Sequence, residues 1–237
     1  MNDEHLLIET RGGVRTITLN RPRARNALLL EMRRKLQDIF AEAASDDAVS
    51  VLVLTGTDPA FCAGIDIKEP LPPGGQVTDP AASLRAVAKP VIGAINGVCV
   101  TGGLELALAC DILVASEQAR FADTHVSLGL VPAWGMTAML AQCLGTRRAV
   151  EMSLGGAFID ASTARSWGLV NHVVPHDELM ERVSDIARSL SEADRLAARA
   201  VLGVYRRAAG LPFEQALALE HDAWREWRAM LPEELSI

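Results

Sequence analysis

The stretch that most constrains the fold is VIGAINGVCVTGGLELALACDILVAS, residues 91–116. It reads as an apolar strand, a glycine corner at Gly97, Gly102 and Gly103, an apolar helix from about Gly103, and a second apolar strand, DILVAS. Strands that are apolar on both faces belong to a sheet covered on both sides, and a helix between two of them is the connection that parallel strands need. A similar cycle precedes it. Leu29, Met32, Leu36, Ile39, Phe40 and Ala43 recur at three- and four-residue spacings and predict a helix over 28–44, followed by the apolar strand VSVLVLTG at 49–56. The fold class is therefore α/β.

Around these cycles the chain is punctuated clearly. HLLIETRGGVRTITLN alternates apolar and polar residues on both sides of Gly12-Gly13, the pattern of a β-hairpin. EPLPPGGQVTDP, residues 69–80, is rich in Pro and Gly and predicts a loop. From Gly135 onward the patterns are helical, and the last two helices are expected over 193–209 and 213–228. No internal repeat or low-complexity tract interrupts this order. With 237 residues, 49% of them hydrophobic, the chain has enough apolar material for one large α/β domain, or one with a small appendage.

Charge narrows the function classes. The net charge of −7 and the scatter of 23 Lys and Arg residues argue against a nucleic-acid groove or an anionic membrane surface. Cys62, Cys99, Cys110 and Cys143 show no C-x-x-C spacing and sit among small or apolar residues, which predicts reduced, buried thiols, a cytoplasmic location and no metal site. MNDEHLLIET has no basic stretch leading into an apolar one, so no secretory signal is expected. No segment is apolar enough to span a membrane, because Asn96, Thr101, Glu105 and Asp111 break the longest run.

Glu105 is the anomaly. A carboxylate in the first turn of a helix complements the helix dipole, which is one reading. The other starts from Leu104, Leu106, Leu108 and Ala109, which make the helix hydrophobic nearly all round and place the carboxylate in a dry setting that raises its pKa toward acid/base range. A second glycine corner, DPAFCAGIDIKE at 58–69, follows VSVLVLTG. Two such corners on neighbouring strands can aim two backbone N–H groups at one carbonyl oxygen, with Glu105 beside it.

RPRARNAL, AFCAGIDIKE, KPVIGAINGVCVTGGLELALACDILVA, RFADTHVSLGLVP and LVNHVVP occur in an order and at spacings that resemble the enoyl-CoA hydratase/isomerase, or crotonase, family from about Leu7 to Leu219. The resemblance implies an α/β crotonase-like spiral of strand-strand-helix turns with a C-terminal helical region. It implies a core over 1–190 and a shortened C-terminal helical oligomerisation segment over 191–237. The substrate implied is an acyl-CoA thioester, with coenzyme A carried as part of it and no further cofactor. The oxyanion donors map onto the N–H groups of Ile65 and Gly102, and the water-activating glutamate onto Glu105. Coenzyme A contacts map onto the loop carrying Arg21, Arg23 and Arg25 and onto Ala63, Asp66 and Lys68. A homotrimer or dimer of trimers is the implied assembly.

The chain departs from the family pattern at one catalytic position. Hydratases of the family carry a second glutamate in a segment similar to FADTHVSLG, and here that place holds His125. Four readings stay open: His125 replaces the acid, or it merely hydrogen-bonds nearby backbone, or Glu105 alone passes a proton in and out through the same water, or Asp123 turns inward. Two other differences are a shorter loop between Asp66 and Lys89 and a C-terminal segment without the family's EKR ending. The leading expectation is a 2-enoyl-CoA hydratase. An enoyl-CoA isomerase working with a single glutamate and an acyl-CoA-binding protein are the alternatives.

Overall fold

The computed structural model describes residues 5–69 and 78–231. The alternating N-terminal segment forms the expected hairpin of β1 (Leu6–Arg11) and β2 (Val14–Leu19), with Gly12 and Gly13 both at positive φ in the turn. Next come α1 (Leu30–Ser45), β3 (Val51–Gly56) and the short β4 (Ala60–Cys62). Most of the predicted loop EPLPPGGQVTDP lies outside the described residues. At its end Asp79 accepts a hydrogen bond from Ala82 N–H and opens α2 (Pro80–Arg85).

The central stretch forms β5 (Val91–Ile95), β6 (Val98–Val100), α3 (Gly102–Leu108) and β7 (Ile112–Ser116), followed by β8 (Arg120–Ala122). Then follow α4 (Met136–Leu144), α5 (Thr146–Gly155), β9 (Ile159–Asp160), α6 (Ala161–Trp167), β10 (His172–Val174) and α7 (Leu179–Ser191). The two C-terminal helices, α8 (Arg195–Ala208) and α9 (Phe213–Ala229), fall within two residues of their predicted bounds.

The large sheet has the order β1-β2-β3-β5-β7-β10 and is parallel from β2 onward. Its middle strands are buried on both faces, as their continuous apolarity requires. One face packs into the main core around Phe40, Phe61 and Phe121; the other receives Leu179, Val183 and Ala187 of α7 against Val53, Ile92 and Val114.

A second, smaller sheet, β4-β6-β8-β9, was not readable from the sequence, because its strands are only two or three residues long and show no period. Each turn of the spiral lays one long strand in the first sheet and one short strand in the second: β3 then β4, β5 then β6, β7 then β8. The glycine corners therefore sit beyond β4 and β6, which pair in parallel. The neighbouring strands that bring the corners together are those of the small sheet, not the long strands from which the sequence placed them.

Two side chains lock this frame. Asn26, fully buried at φ 56°, donates from Nδ2 to the Thr57 and Ala60 carbonyls and accepts from Arg21 N–H, which holds the loop before α1 against β4. Arg206 of α8 makes a bidentate pair with Asp111 at 2.8 and 2.7 Å and donates to the Arg85 and Val87 carbonyls, fastening the C-terminal helices to the core.

The expectation of four buried thiols needs correction. All four are free, but only Cys62 and Cys99 are buried, whereas Cys110 is half-buried and Cys143 is exposed on α4. Burial pushes the Cys62 thiol up to about 12, which makes it inert.

Gly103 is the closest approach in the frame. A Cβ there would lie 2.2 Å from the Cys62 carbonyl oxygen, so the start of α3 rests directly on the end of β4. Gly103→Ala is expected to cost about 3 kcal/mol through forced separation of these elements, measured as a lowered denaturant midpoint in equilibrium unfolding.

Candidate active site

The two glycine corners meet across a cleft of about 440 Å³. One wall carries Arg25, Ala63, Ile65, Asp66 and Lys68; the other carries Gly102, His125, Leu128 and Leu130. Leu28 N–H donates to the Gly64 carbonyl at 2.8 Å and Asp66 N–H to the Leu28 carbonyl at 3.1 Å, forming a one-residue parallel bridge at Ile65. In such a bridge the middle residue's own N–H points away from its partner segment. Gly102 is the neighbour there: a Cβ on it would lie 3.6 Å from Ile65 N and 3.0 Å from the Trp134 ring. Gly102 also opens α3, where the first N–H groups have no acceptor within the helix.

Thr101, between β6 and α3, has φ 55°, a costly conformation for a β-branched residue. The surroundings over-determine it: its N–H donates to the Ala122 carbonyl, and its hydroxyl and that of Thr124 lie 2.5 Å apart. This contact ties the Gly102 corner to the segment that carries His125. Nothing in the sequence marked Thr101 for the role.

Glu105 is 2% exposed, one turn into the all-buried α3. Its Oε1 accepts from Trp134 N–H at 2.7 Å and Met136 N–H at 3.2 Å. Its Oε2 faces His125 Nε2 at 3.7 Å, within ion-pair distance and longer than a direct hydrogen bond. Burial raises the Glu105 carboxyl above the ordinary glutamate value, and the two amides and the neighbouring imidazole offset this only in part.

His125 is 7% exposed and lines the cleft. Its Nδ1 lies 2.7 Å from Asp123 Oδ1, and its backbone N–H donates to the same oxygen at 3.2 Å. Asp123 is fully buried. Burial alone would raise its carboxyl, but the hydrogen bonds from the ring and backbone N–H of His125 and the nearby Ser153 side chain of α5 outweigh this and hold it below its ordinary value. Of the readings left open by the sequence, the one in which His125 bonds only backbone does not hold: it joins two carboxylates. Asp123 does turn inward, toward the imidazole.

The residues expected along coenzyme A divide. Arg25, Ala63, Asp66 and Lys68 line the cleft, whereas Arg23 is exposed and does not. Arg21 is committed to Asp66 at 3.1 Å and to the Ala27 carbonyl. Asp66 lies below its ordinary value through hydrogen bonding to Lys68 N–H and to Arg21, partly opposed by desolvation. Arg85 of α2 donates to the Trp134 carbonyl at 2.7 Å and so supports the loop whose amides hold Glu105. That loop was missed because backbone amides carry no residue signature. Among the described residues no group of three or more metal-ligating side chains is present, and no helix is long and apolar enough to cross a membrane.

Residues 9–230 match the family model described as enoyl-CoA hydratase/isomerase. The chain belongs to that enzyme family. A relative, the probable peroxisomal enoyl-CoA hydratase 1 of Arabidopsis thaliana, is 36% identical over 222 residues, covering 89% of this chain and 82% of that protein. The crystal structure of enoyl-CoA hydratase from Mycobacterium tuberculosis H37Rv is 46% identical and superposes with a TM-score of 0.82, covering 95% of this chain and 100% of that one. The Bacillus anthracis enoyl-CoA hydratase structure is 31% identical with a TM-score of 0.89, covering 98% and 93%. The architecture is the crotonase fold, and the cleft lies where its two glycine corners meet.

Titration of labelled carboxyl groups by NMR checks the electrostatics of this site in the family member. Glu105 is expected to lose its proton above the ordinary 4.5 and Asp123 below the ordinary 3.8.

Proposed function

We propose that the protein hydrates 2-enoyl-CoA thioesters. The observation that carries this reading is the state of Glu105: a buried carboxylate with one oxygen held by two amides and the other facing His125, which lines the cleft together with Ile65 and Gly102. Fixing Oε1 leaves Oε2 as the oxygen that moves a proton.

In this reading the thioester oxygen accepts from the Ile65 and Gly102 N–H groups, which draw electrons from the C2=C3 bond and make C3 electrophilic. Glu105 Oε2 takes a proton from water as its oxygen bonds to C3. The electron pair of the double bond moves onto the thioester oxygen, where each amide donor is worth about 10²- to 10³-fold in rate. C2 then takes up a proton and the carbonyl re-forms. Lys68 and Arg25 supply positive charge for the anionic coenzyme A along the wall that also holds Ala63 and Asp66.

Coenzyme A enters only as part of the substrate, and no separate cofactor is required by these steps. A cytoplasmic homotrimer or dimer of trimers completes the reading. Association with further copies is supported by the apolar groove of about 410 Å³ between α8 and α9, where Tyr205 and Trp224 are exposed.

The test is hydration of crotonyl-CoA in ¹⁸O-labelled water. Label is expected in the 3-hydroxyacyl product, and Glu105→Gln is expected to lose about 10²- to 10⁴-fold in kcat. Because Glu105 works ionised and its carboxyl is raised, kcat/KM is expected to fall on acidification at a pH above the usual carboxylate range. Conversion of a 3-enoyl to a 2-enoyl thioester without label would instead assign isomerisation. Binding without turnover of any thioester would assign a carrier.

A further inference from the structure

We propose that Asp123 is a positioning residue that makes His125 the acid partner of Glu105, so that the proton added at C2 of the enoyl thioester comes from His125 Nε2. This rests on the hydration reading and adds the second proton-transfer group, which that reading leaves unassigned.

The ring orientation is set from one side. The backbone N–H of His125 holds Asp123 Oδ1 at 3.2 Å, and the same buried oxygen engages Nδ1 at 2.7 Å, so the imidazole cannot turn without breaking its bond to a carboxylate that is itself fixed. An ionised carboxylate accepts only, so Nδ1 carries a hydrogen in both charge states of the ring and Nε2 is the nitrogen that gains and loses a proton. That nitrogen faces Glu105 Oε2 at 3.7 Å, while Glu105 Oε1 is already occupied by two amides. The second oxygen of the base and Nε2 of the acid thus face each other at 3.7 Å.

The charges around the ring suit the assignment. Two carboxylates flank the ring, Asp123 from its own segment and Glu105 from α3, and Ser153 of α5 stands behind Asp123. On the far wall of the cleft stand Arg25 and Lys68, with Asp66 paired to Arg21. The Asp123 carboxylate is fully buried and bonds the ring, so it reaches the reacting atoms through His125, while its charge also helps to raise the Glu105 carboxyl.

The proton and electron balance closes. Glu105 begins as carboxylate and His125 as imidazolium. Water loses a proton to Oε2 as its oxygen bonds to C3, and the enolate pair at C2 takes the Nε2 proton as the C2–H bond forms. Glu105 is then neutral and His125 is neutral at Nε2. Transfer of one proton from Oε2 to Nε2 through the next water restores both groups, and net one water has been added.

Two measurements test this on the full chain. In ¹⁵N-histidine NMR, Nδ1 of His125 is expected to stay protonated throughout the titration while Nε2 titrates. Asp123→Asn abolishes that division, and Glu105→Gln changes the Nε2 titration alone. In crotonyl-CoA hydration, Asp123→Asn is expected to lower kcat by about 10- to 100-fold with KM changed less than about threefold. His125→Glu restores the family's carboxyl at this place, and on that background Asp123→Asn costs at least about tenfold less, since no imidazole remains to be positioned.

Equal losses on both backgrounds, or an Nδ1 that titrates in the native protein, would overturn the proposal. If Glu105→Gln abolishes hydration while Asp123→Asn leaves kcat intact, hydration stands and the Asp123 assignment falls. If the native protein hydrates no enoyl thioester, the hydration reading falls together with the C2 step. The NMR result then reports separately whether Asp123 fixes the ring.

Discussion

The contact on which the site depends is the seat of Gly103 on the Cys62 carbonyl. A Cβ there would be 2.2 Å from that oxygen, so α3 can start where it does only because residue 103 has no side chain. The same approach brings Gly102 beside Gly64 and Ile65 and lets β4 pair with β6. A shift of an ångström between these elements would separate the two amides that the proposed reaction aims at one oxygen. Close packing of backbone against backbone tolerates little such movement.

On this frame the protein keeps an ionisable group in its interior and satisfies it incompletely. Among the described residues, Glu105 receives two amide hydrogen bonds on one oxygen and none on the other. A carboxylate saturated on both oxygens would be stable and inert, whereas one with no partner would not remain charged in so dry a place. Half-satisfaction leaves it raised and able to exchange a proton. The supports are distributed: the Trp134 loop carries the amides, Arg85 holds that loop, and Arg206 reaches from α8 to the Arg85 carbonyl. A physical path of direct contacts thus joins the C-terminal helices to the carboxylate.

Much of this was legible in the chain. Gly12-Gly13 between alternating segments can close only a tight hairpin, and the apolar runs at 51–56, 91–95 and 112–116 suit only strands covered on both faces. Glu105 stood out because a charge in an apolar helix needs a reason. Other features left no mark. Arg23 and Arg25 look alike in RPRARNAL, yet Arg25 lines the cleft and Arg23 does not, in a loop whose backbone turns left-handed at residues 25 and 26. The small sheet was hidden because two- and three-residue strands carry no pattern.

The sequence by itself determined the α/β class, the family and the pairing of a buried acid with a glycine-rich corner, because these rest on local periodicity, on the conformations only glycine adopts readily, and on motif order. Only the tertiary structure decided that His125 stands between Glu105 and Asp123. Residue 123 is two positions from residue 125, and no local rule says whether its carboxylate turns to solvent or to the ring. That choice is made by α5, which buries it, and by the contact of Thr124 with the strained Thr101, which fixes the segment against α3. Both are long-range contacts, formed only once the spiral has closed.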